Sequence, residues 1–246
     1  KCPALVYRKV LAVRRLRRKQ PKTLFYAVGF QRGREMLGSW QKNWLEQQLK
    51  ATQNQRWNLI GQQVMVAPLL QPDLREVVDP NGNSVFVKSH SREAYQKAID
   101  ASKYNLPLLL DAWDGYPEAR EDFLQLLKRH HNNNIVLTGD IHTGICADLY
   151  LEDDEQPVAL ELITPAVTSP GLDDYFPTNP QQQAGKAFIQ QNPHIHYIEG
   201  TLKGWLEVNL TQQQMRAQWN YVSTVKQPNY QVSQGYSITR QANEAV

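Results

Sequence analysis

The fold class follows from residues 135–142, which read Ile135-Val136-Leu137-Thr138-Gly139-Asp140-Ile141-His142. The first half of this stretch is short, apolar and largely β-branched, which is typical of a buried strand. The second half leaves the strand with a glycine and two polar side chains. In open α/β sheets, binding sites form where the chain emerges from the carboxyl ends of strands. The stretch therefore predicts an α/β core with a site at one edge of its sheet.

Asp140 and His142 are candidate metal ligands. In an extended segment, residues two apart point to the same side, so the two side chains can converge on one ion. Gly139 lets the backbone turn or approach a ligand closely. A carboxylate with an imidazole suits iron, zinc or manganese. The alternative is a Gly-Asp turn followed by an incidental histidine.

Further strands and helices extend this core. Apolar runs predict strands at residues 57–67, 106–111 and 158–164. Helical spacing of Trp40, Trp44 and leucines predicts a helix from about residue 39 to 52, with the two tryptophans as core anchors. Pro117 opens another helix, because proline is favoured in the first turn. Strands that alternate with helices indicate a layered α/β core.

Turn-rich or polar segments separate these elements. Residues 71–92 predict an exposed excursion, followed by a short helix at 93–102. The proline-rich segment 164–171 predicts an irregular loop. Alternating apolar residues around Leu206 and Trp219 predict an antiparallel hairpin. Residues 226–246 are polar, which predicts a loose tail.

A second group of chemically capable residues, Asp111, Trp113, Asp114 and Tyr116, follows the predicted strand at 106–111. Carboxylates beside an apolar strand need a partner, which a metal, an arginine or the start of the next helix could each supply. Capping of the helix that begins near Pro117 would explain Asp114. It would not explain the two aromatic side chains.

Other polar side chains have weaker signals. Gln62 and Gln63 interrupt an apolar run, so they mark either the strand end nearest the site or a strand with one wet face. Cys146 follows His142 by four positions, but a small buried side chain is its expected role. His194 and His196 share one side of a predicted strand, and such pairs are ordinary.

Composition excludes several classes of protein. The chain has 246 residues, is 41% hydrophobic and has no apolar run long enough to span a membrane. Two cysteines cannot form a disulfide framework. Residues 1–33 form a basic segment, which could bind nucleic acid, although no aromatic residues interleave its cationic cluster as a stacking surface would require. A solvated arm is the simpler interpretation. The chain begins with Lys1 and no signal pattern, which predicts a fragment or processed form.

Together these segments resemble the PhoD family of alkaline phosphatases and phosphodiesterases. The similarity covers roughly residues 34–225 and depends on two motifs in tandem, Trp113-Asp114-Gly115-Tyr116-Pro117 and Gly139-Asp140-Ile141-His142. The resemblance implies a calcineurin-like α/β/β/α core, iron and calcium cofactors, phosphate mono- and diester substrates, and a secreted or periplasmic parent protein. It implies that Asp140 and His142 bind metal, and that Trp113, Asp114 and Tyr116 lie beside the site.

The resemblance also predicts an incomplete site. The family's other ligands precede the position equivalent to residue 34, and this chain has no aspartate before Asp73. We therefore expect the C-terminal half of a metallophosphatase domain at residues 34–225, between a basic arm at 1–33 and a polar tail at 226–246. The alternatives are a non-catalytic fragment or pseudoenzyme, and a nucleic-acid-binding module that uses the basic arm.

Overall fold

The computed structural model describes residues 33–73, 100, 102–130, 133–171 and 180–242, and the elements and contacts of the fold are those among these residues. A short 3-10 helix spans Trp113–Gly115. The longer helices and the strands, each numbered in chain order, are α1 (Ser39–Thr52), α2 (Pro117–His130), α3 (Pro180–Gln191), β1 (Asn58–Gln62), β2 (Asn134–Thr138), β3 (Gly144–Leu149), β4 (Ala159–Ile163), β5 (Ile195–Glu199), β6 (Lys203–Leu210), β7 (Gln214–Val222) and β8 (Val232–Gln241).

A mixed five-stranded sheet forms the centre of the fold. Its strand order is β1-β2-β4-β3-β5, with β1, β2 and β4 parallel and β3 antiparallel to both of its neighbours. Every residue of β3 and β4 is buried, as expected for strands that are covered on both faces. The predicted α/β class is confirmed, and so are the strands predicted around residues 135–138 and 158–164.

Two apolar clusters cover the two faces of this sheet. On one face, Phe123, Leu124 and Leu127 of α2 pack against Val136 and neighbouring side chains. On the other face, a second sheet with order β6-β7-β8 packs through Trp219 and its neighbours. The predicted hairpin of β6 and β7 is therefore confirmed, as is the start of α2 at Pro117.

The C-terminal segment differs from the predicted loose tail. Val232–Gln241 forms β8, which pairs with β7 along its length and completes the second sheet. Tyr236 and Ile238 pack against the cluster between the two sheets. Because only alternate residues of a one-sided strand need to be apolar, the segment is polar overall and was mistaken for a tail.

The tryptophans of α1 are not core anchors. Trp40 and Trp44 are 76% and 51% exposed, and Leu49 is the buried residue of this helix. At 100° per residue, Trp40 lies about 180° around the helix from Leu49. The helix boundaries were predicted correctly, but the assignment of its buried face was wrong.

Two predicted strands are shorter or absent. Only Asn58–Gln62 of the predicted strand at 57–67 is a strand. Residues 106–111 make a single bridge, between Leu70 and Pro107. Proline cannot donate to a ladder, and Leu108 and Leu110 are exposed. Residues 1–32 and 74–99, which contain most of the basic segment, the excursion and the short helix, lie outside the described residues.

Candidate active site

The candidate site lies at the carboxyl edge of the three parallel strands. β1, β2 and β4 end in register, with Gln62 opposite Thr138 and Thr138 opposite Ile163. The segments that leave these strands therefore begin side by side. The Thr164 amide donates a hydrogen bond to the Thr138 carbonyl across 3.0 Å. The structure thus places Asp140 and His142 at the carboxyl end of β2, where the sequence predicted a site.

The loop that carries these residues is bent, not extended as expected. Asp140 and His142 both have positive φ angles, 71° and 59°, and the Ile141 amide bonds the Gly139 carbonyl across 2.9 Å. Positive φ is uncommon outside glycine and persists where the surroundings enforce it. The prediction that Asp140 and His142 lie in an extended segment is therefore wrong. Both side chains are nevertheless exposed to solvent at the same edge.

A backbone carbonyl orients the His142 ring. Nδ1 of His142 lies 2.8 Å from the Pro170 carbonyl oxygen, in the predicted irregular loop. A carbonyl oxygen only accepts, so Nδ1 carries the proton and donates it. In the neutral imidazole, Nε2 then carries the lone pair, and metal-binding histidines commonly bind through one nitrogen while the other donates in this way. The Pro170 contact thus fixes the orientation of the His142 ring.

The Asp140 side chain, two positions before this ring, is exposed to solvent. Within the described part of the chain it accepts no hydrogen bond and forms no ion pair. An unpaired carboxylate and an imidazole lone pair suit a borderline or hard cation. No group of three or more His, Cys, Asp or Glu residues that could hold a metal forms among the described residues. The donors fit a metal, but they supply only part of its coordination.

Cys146 lies inside the apolar cluster between the sheets and is fully buried. It is thus the small buried side chain that the sequence suggested, away from the exposed loop. Burial raises the pKa of its thiol far above the usual range, and the neighbouring charge of Asp148 adds to this effect.

We expect the Cys146 thiol to resist alkylation in the folded chain. The thiolate is the reacting form, so raising the pH from about 7 to about 9 should scarcely speed its reaction with iodoacetamide, whereas in urea it should react as a free thiol. Peptide mass spectrometry can follow Cys146 separately from Cys2. Equal rates in the native and unfolded states would show that the thiol is accessible and would restore it as a possible ligand.

Trp113, Asp114 and Tyr116 contact residues other than the loop. The Trp113 ring is fully buried and lies 5.0 Å from Phe123, centroid to centroid. The hydroxyl of Tyr116 accepts a hydrogen bond from Arg34 across 2.7 Å, and the guanidinium lies 4.1 Å above its ring. Among the described residues, none of the three bonds to Asp140 or His142.

Asp114 forms a buried ion pair. Its Oδ1 accepts from Nη1 of Arg120 across 2.9 Å, and its Oδ2 accepts from the Leu69 amide across 2.9 Å. Both charged side chains are less than 10% exposed. An arginine is thus the partner that the sequence argument required. The place of Asp114 beside the metal site stays a prediction.

The glutamines and histidines of the sequence analysis take ordinary places. Gln62 ends β1 at the candidate edge, and its side chain accepts from the Gln63 amide across 2.9 Å. Nε2 of His194 lies 2.7 Å from the Pro68 carbonyl oxygen, and Nε2 of His196 lies 2.7 Å from Oδ2 of Asp148. These contacts engage Nε2 of both rings with groups away from the Asp140–His142 loop.

Glu161 is a functional candidate that the sequence analysis missed. It lies in the middle of β4 with no exposed surface, and its carboxylate accepts three hydrogen bonds. Burial raises the pKa of Glu161, although its hydrogen bonds and the charge of Arg120 act in the opposite direction. A lone acid in the apolar run Ala159-Leu160-Glu161-Leu162-Ile163 was the available signal, since buried charges require partners.

Comparison with known proteins gives consistent results. The family model of PhoD-like phosphatases matches residues 4–219. Alkaline phosphatase D of Bacillus subtilis (strain 168) is 26% identical over 139 residues, which cover 55% of this chain and 23% of that protein. The solved structure of PhoD matches with a TM-score of 0.60 and 23% identity, covering 85% of this chain and 34% of that one.

The family match begins earlier than the sequence analysis predicted. It includes residues 4–33, which we had placed outside the resemblance. The chain nevertheless spans only about a quarter of the curated relative and a third of the solved chain. With the family model matching most of the sequence, this chain belongs to the PhoD-like phosphatase family.

Proposed function

We propose that this chain is part of a metal-dependent hydrolase of phosphate mono- and diesters, with Asp140 and His142 as metal ligands. The observation that carries the proposal is the His142 ring, which the Pro170 carbonyl holds with Nε2 free at the strand edge. Iron and calcium are the proposed metals, by resemblance to the family. Such ions supply positive charge to the phosphoryl group and lower the pKa of water.

We also propose that the site needs further ligands from polypeptide outside the described residues. Calcium takes six to eight oxygen ligands and even compact transition-metal sites take about four, whereas two candidate donors lie here. Leu59 supports this idea. It pairs with Ile135, which faces the second sheet, and yet it is 46% exposed on β1, the outermost strand of this sheet among the described residues. Additional chain against β1 would cover it.

A second candidate function is a non-catalytic fragment or pseudoenzyme. The count of two donors among the described residues favours it. The idea of a nucleic-acid-binding module depends on the basic segment, which lies almost wholly outside the described residues, and it stays a prediction. No helix in the described part of the chain is long and apolar enough to cross a membrane. A secreted or periplasmic location is proposed from the family alone.

The test measures metal binding and hydrolysis together. The purified chain is titrated with Mn²⁺ by calorimetry and assayed with p-nitrophenyl phosphate and bis-p-nitrophenyl phosphate, with and without iron and calcium. We expect Asp140→Asn and His142→Ala to weaken Mn²⁺ binding by about 100-fold or more, since even partners of ligands contribute 10–100-fold. Asp122→Asn, at an exposed aspartate of α2, is the matched control.

The outcomes separate the candidates. Metal binding that both variants weaken, with hydrolysis, supports the proposal for this chain. Metal binding without hydrolysis supports the incomplete site. A folded chain that binds no Mn²⁺ contradicts the ligand assignment and favours the non-catalytic alternative. Equal affinity in His142→Ala would show that the metal lies elsewhere.

A further inference from the structure

The segment that follows β1 is buried although it is not a strand. Residues 65–70 are mostly inaccessible to solvent, but among the described residues their only strand pairing is the bridge at Leu70. A buried backbone must satisfy its polar groups. Backbone amides serve the carbonyls of Met65 and Leu69, and side chains from distant parts of the chain supply the other partners. Glu161 accepts from the amides of Val66 and Ala67, and Asp114 accepts from the amide of Leu69. The His194 ring contacts the Pro68 carbonyl, and Asn192 bonds both the amide and the carbonyl of Leu70. The donor–acceptor distances of these side-chain contacts are all 2.7–2.9 Å.

Glu161 connects this segment to β2. Its Oε1 accepts from the Val66 amide across 2.9 Å and from the Thr138 hydroxyl across 2.6 Å, and its Oε2 accepts from the Ala67 amide across 2.7 Å. A carboxylate offers acceptors on both oxygens, whereas an amide side chain offers one acceptor and one donor. The three donors therefore specify a carboxylate at this position.

Thr138 is the point from which the metal-binding loop departs. Glu161 fixes its side chain, and the Thr164 amide fixes its carbonyl across 3.0 Å. Gly139 follows directly, and then Asp140 adopts its positive φ angle. A strained backbone persists only where the surrounding structure over-determines it, and the fixed end of β2 provides one side of that constraint.

We propose that Glu161 is a positioning residue for the Asp140–His142 loop, acting through the Thr138 hydroxyl while it anchors the Val66–Ala67 backbone at the same strand edge. The ligand role of the loop rests on the proposed function; the hold on its conformation does not. Because Glu161 has no exposed surface, it contacts neither substrate nor metal directly.

The test uses the pair Thr138→Val and Thr138→Ser. Valine removes the hydroxyl at nearly constant volume, and serine retains it. We expect Thr138→Val to shift the backbone amide resonances of residues 139–142, to speed their hydrogen exchange about 10-fold and to weaken Mn²⁺ binding about 10-fold, the lower end for groups that orient ligands. Thr138→Ser should restore all three values. Glu161→Gln should change the loop resonances in the same direction.

Leu160→Val is the control for general loosening of β4. Leu160 neighbours Glu161 on the same strand but points into the cluster between the sheets. The substitution should therefore lower thermal stability and leave the loop resonances in place. Loop resonances that do not move in Thr138→Val, or that move equally in Leu160→Val, would overturn the positioning role. If the wild-type chain binds no Mn²⁺ while the loop still responds to valine and recovers with serine, the proposed ligand role fails and the positioning role stands. Should Glu161→Gln not fold, the threonine pair decides the question.

Discussion

Replacing Asp114 by alanine is expected to lower the free energy of unfolding by about 3–5 kcal/mol, because it leaves a buried arginine without its counter-charge. Arg120 is 8% exposed, and its Nη1 lies 2.9 Å from Oδ1 of Asp114. The same substitution removes the acceptor of the Leu69 amide, which no ladder satisfies. Urea unfolding followed by tryptophan fluorescence measures the loss.

A more exposed ion pair between α1 and α2 provides the control. Lys42 lies 2.9 Å from Oδ2 of Asp122, and their side chains are 32% and 56% exposed. Solvent-exposed pairs contribute less than about 1 kcal/mol, so Asp122→Ala should change stability little. The two alanine variants remove the same carboxylate at similar distances from a cation. The difference between them measures the effect of burying the pair together with the loss of the acceptor of the Leu69 amide.

The comparison also decides what the Trp-Asp-Gly-Tyr-Pro motif does. If Asp114→Ala strongly destabilises the chain and the folded fraction keeps its Mn²⁺ affinity, Asp114 is a structural residue that supports residues 65–70. A variant that keeps its stability but loses affinity for substrate would instead make Asp114 a site residue, as the family resemblance implied. The Arg120 ion pair makes the first result the expected one.

Local patterns predicted the elements whose burial is continuous. β2, β4 and α2 carry dense apolar residues or a proline start, so their own sequences determine them. β8 was missed because its burial is one-sided and depends on β7 as a partner. The exposure of Trp40 was missed for a related reason, since helical spacing locates a face but does not say which face has a neighbour.

The same distinction applies to the candidate site, where local sequence predicts some features and distant residues determine the others. The position of Asp140 and His142 at a strand end follows from the adjoining sequence, and the structure agrees with it. The bent loop and the Pro170 contact do not follow, because they depend on a segment 28 positions away. The role of Glu161 depends on Val66, which is 95 positions distant. A sequence can show that a buried acid needs donors, but it does not identify them.

Trp219→Ala is expected to have an equally large effect, a loss of about 3–5 kcal/mol in the free energy of unfolding, as for other large aromatic residues in cores. Trp219 has no exposed surface, and its ring lies 5.5 Å from Tyr197 and 5.8 Å from Tyr236, centroid to centroid. It is packed so closely that a side chain at Gly144 would meet the indole within about 3 Å. Alanine would leave a cavity between the two sheets.

The indole nitrogen of Trp219 also reaches the candidate site edge. Nε1 donates to the Ile163 carbonyl across 2.9 Å, and the next residue, Thr164, bonds Thr138.

The control is Trp205→Ala, at a tryptophan of β6 that is 40% exposed. It should lower the free energy of unfolding by less than about 1 kcal/mol. The free energy of unfolding of Trp219→Phe should lie between those of Trp219→Ala and Trp205→Ala, because phenylalanine keeps an aromatic ring but loses the N–H donor. If Trp219→Ala and Trp205→Ala lowered the free energy of unfolding equally, the tight packing of the second sheet would be contradicted. Faster hydrogen exchange at Thr164 in Trp219→Phe, but not in Trp205→Ala, would show that the second sheet helps to hold the strand end from which the Asp140–His142 loop departs.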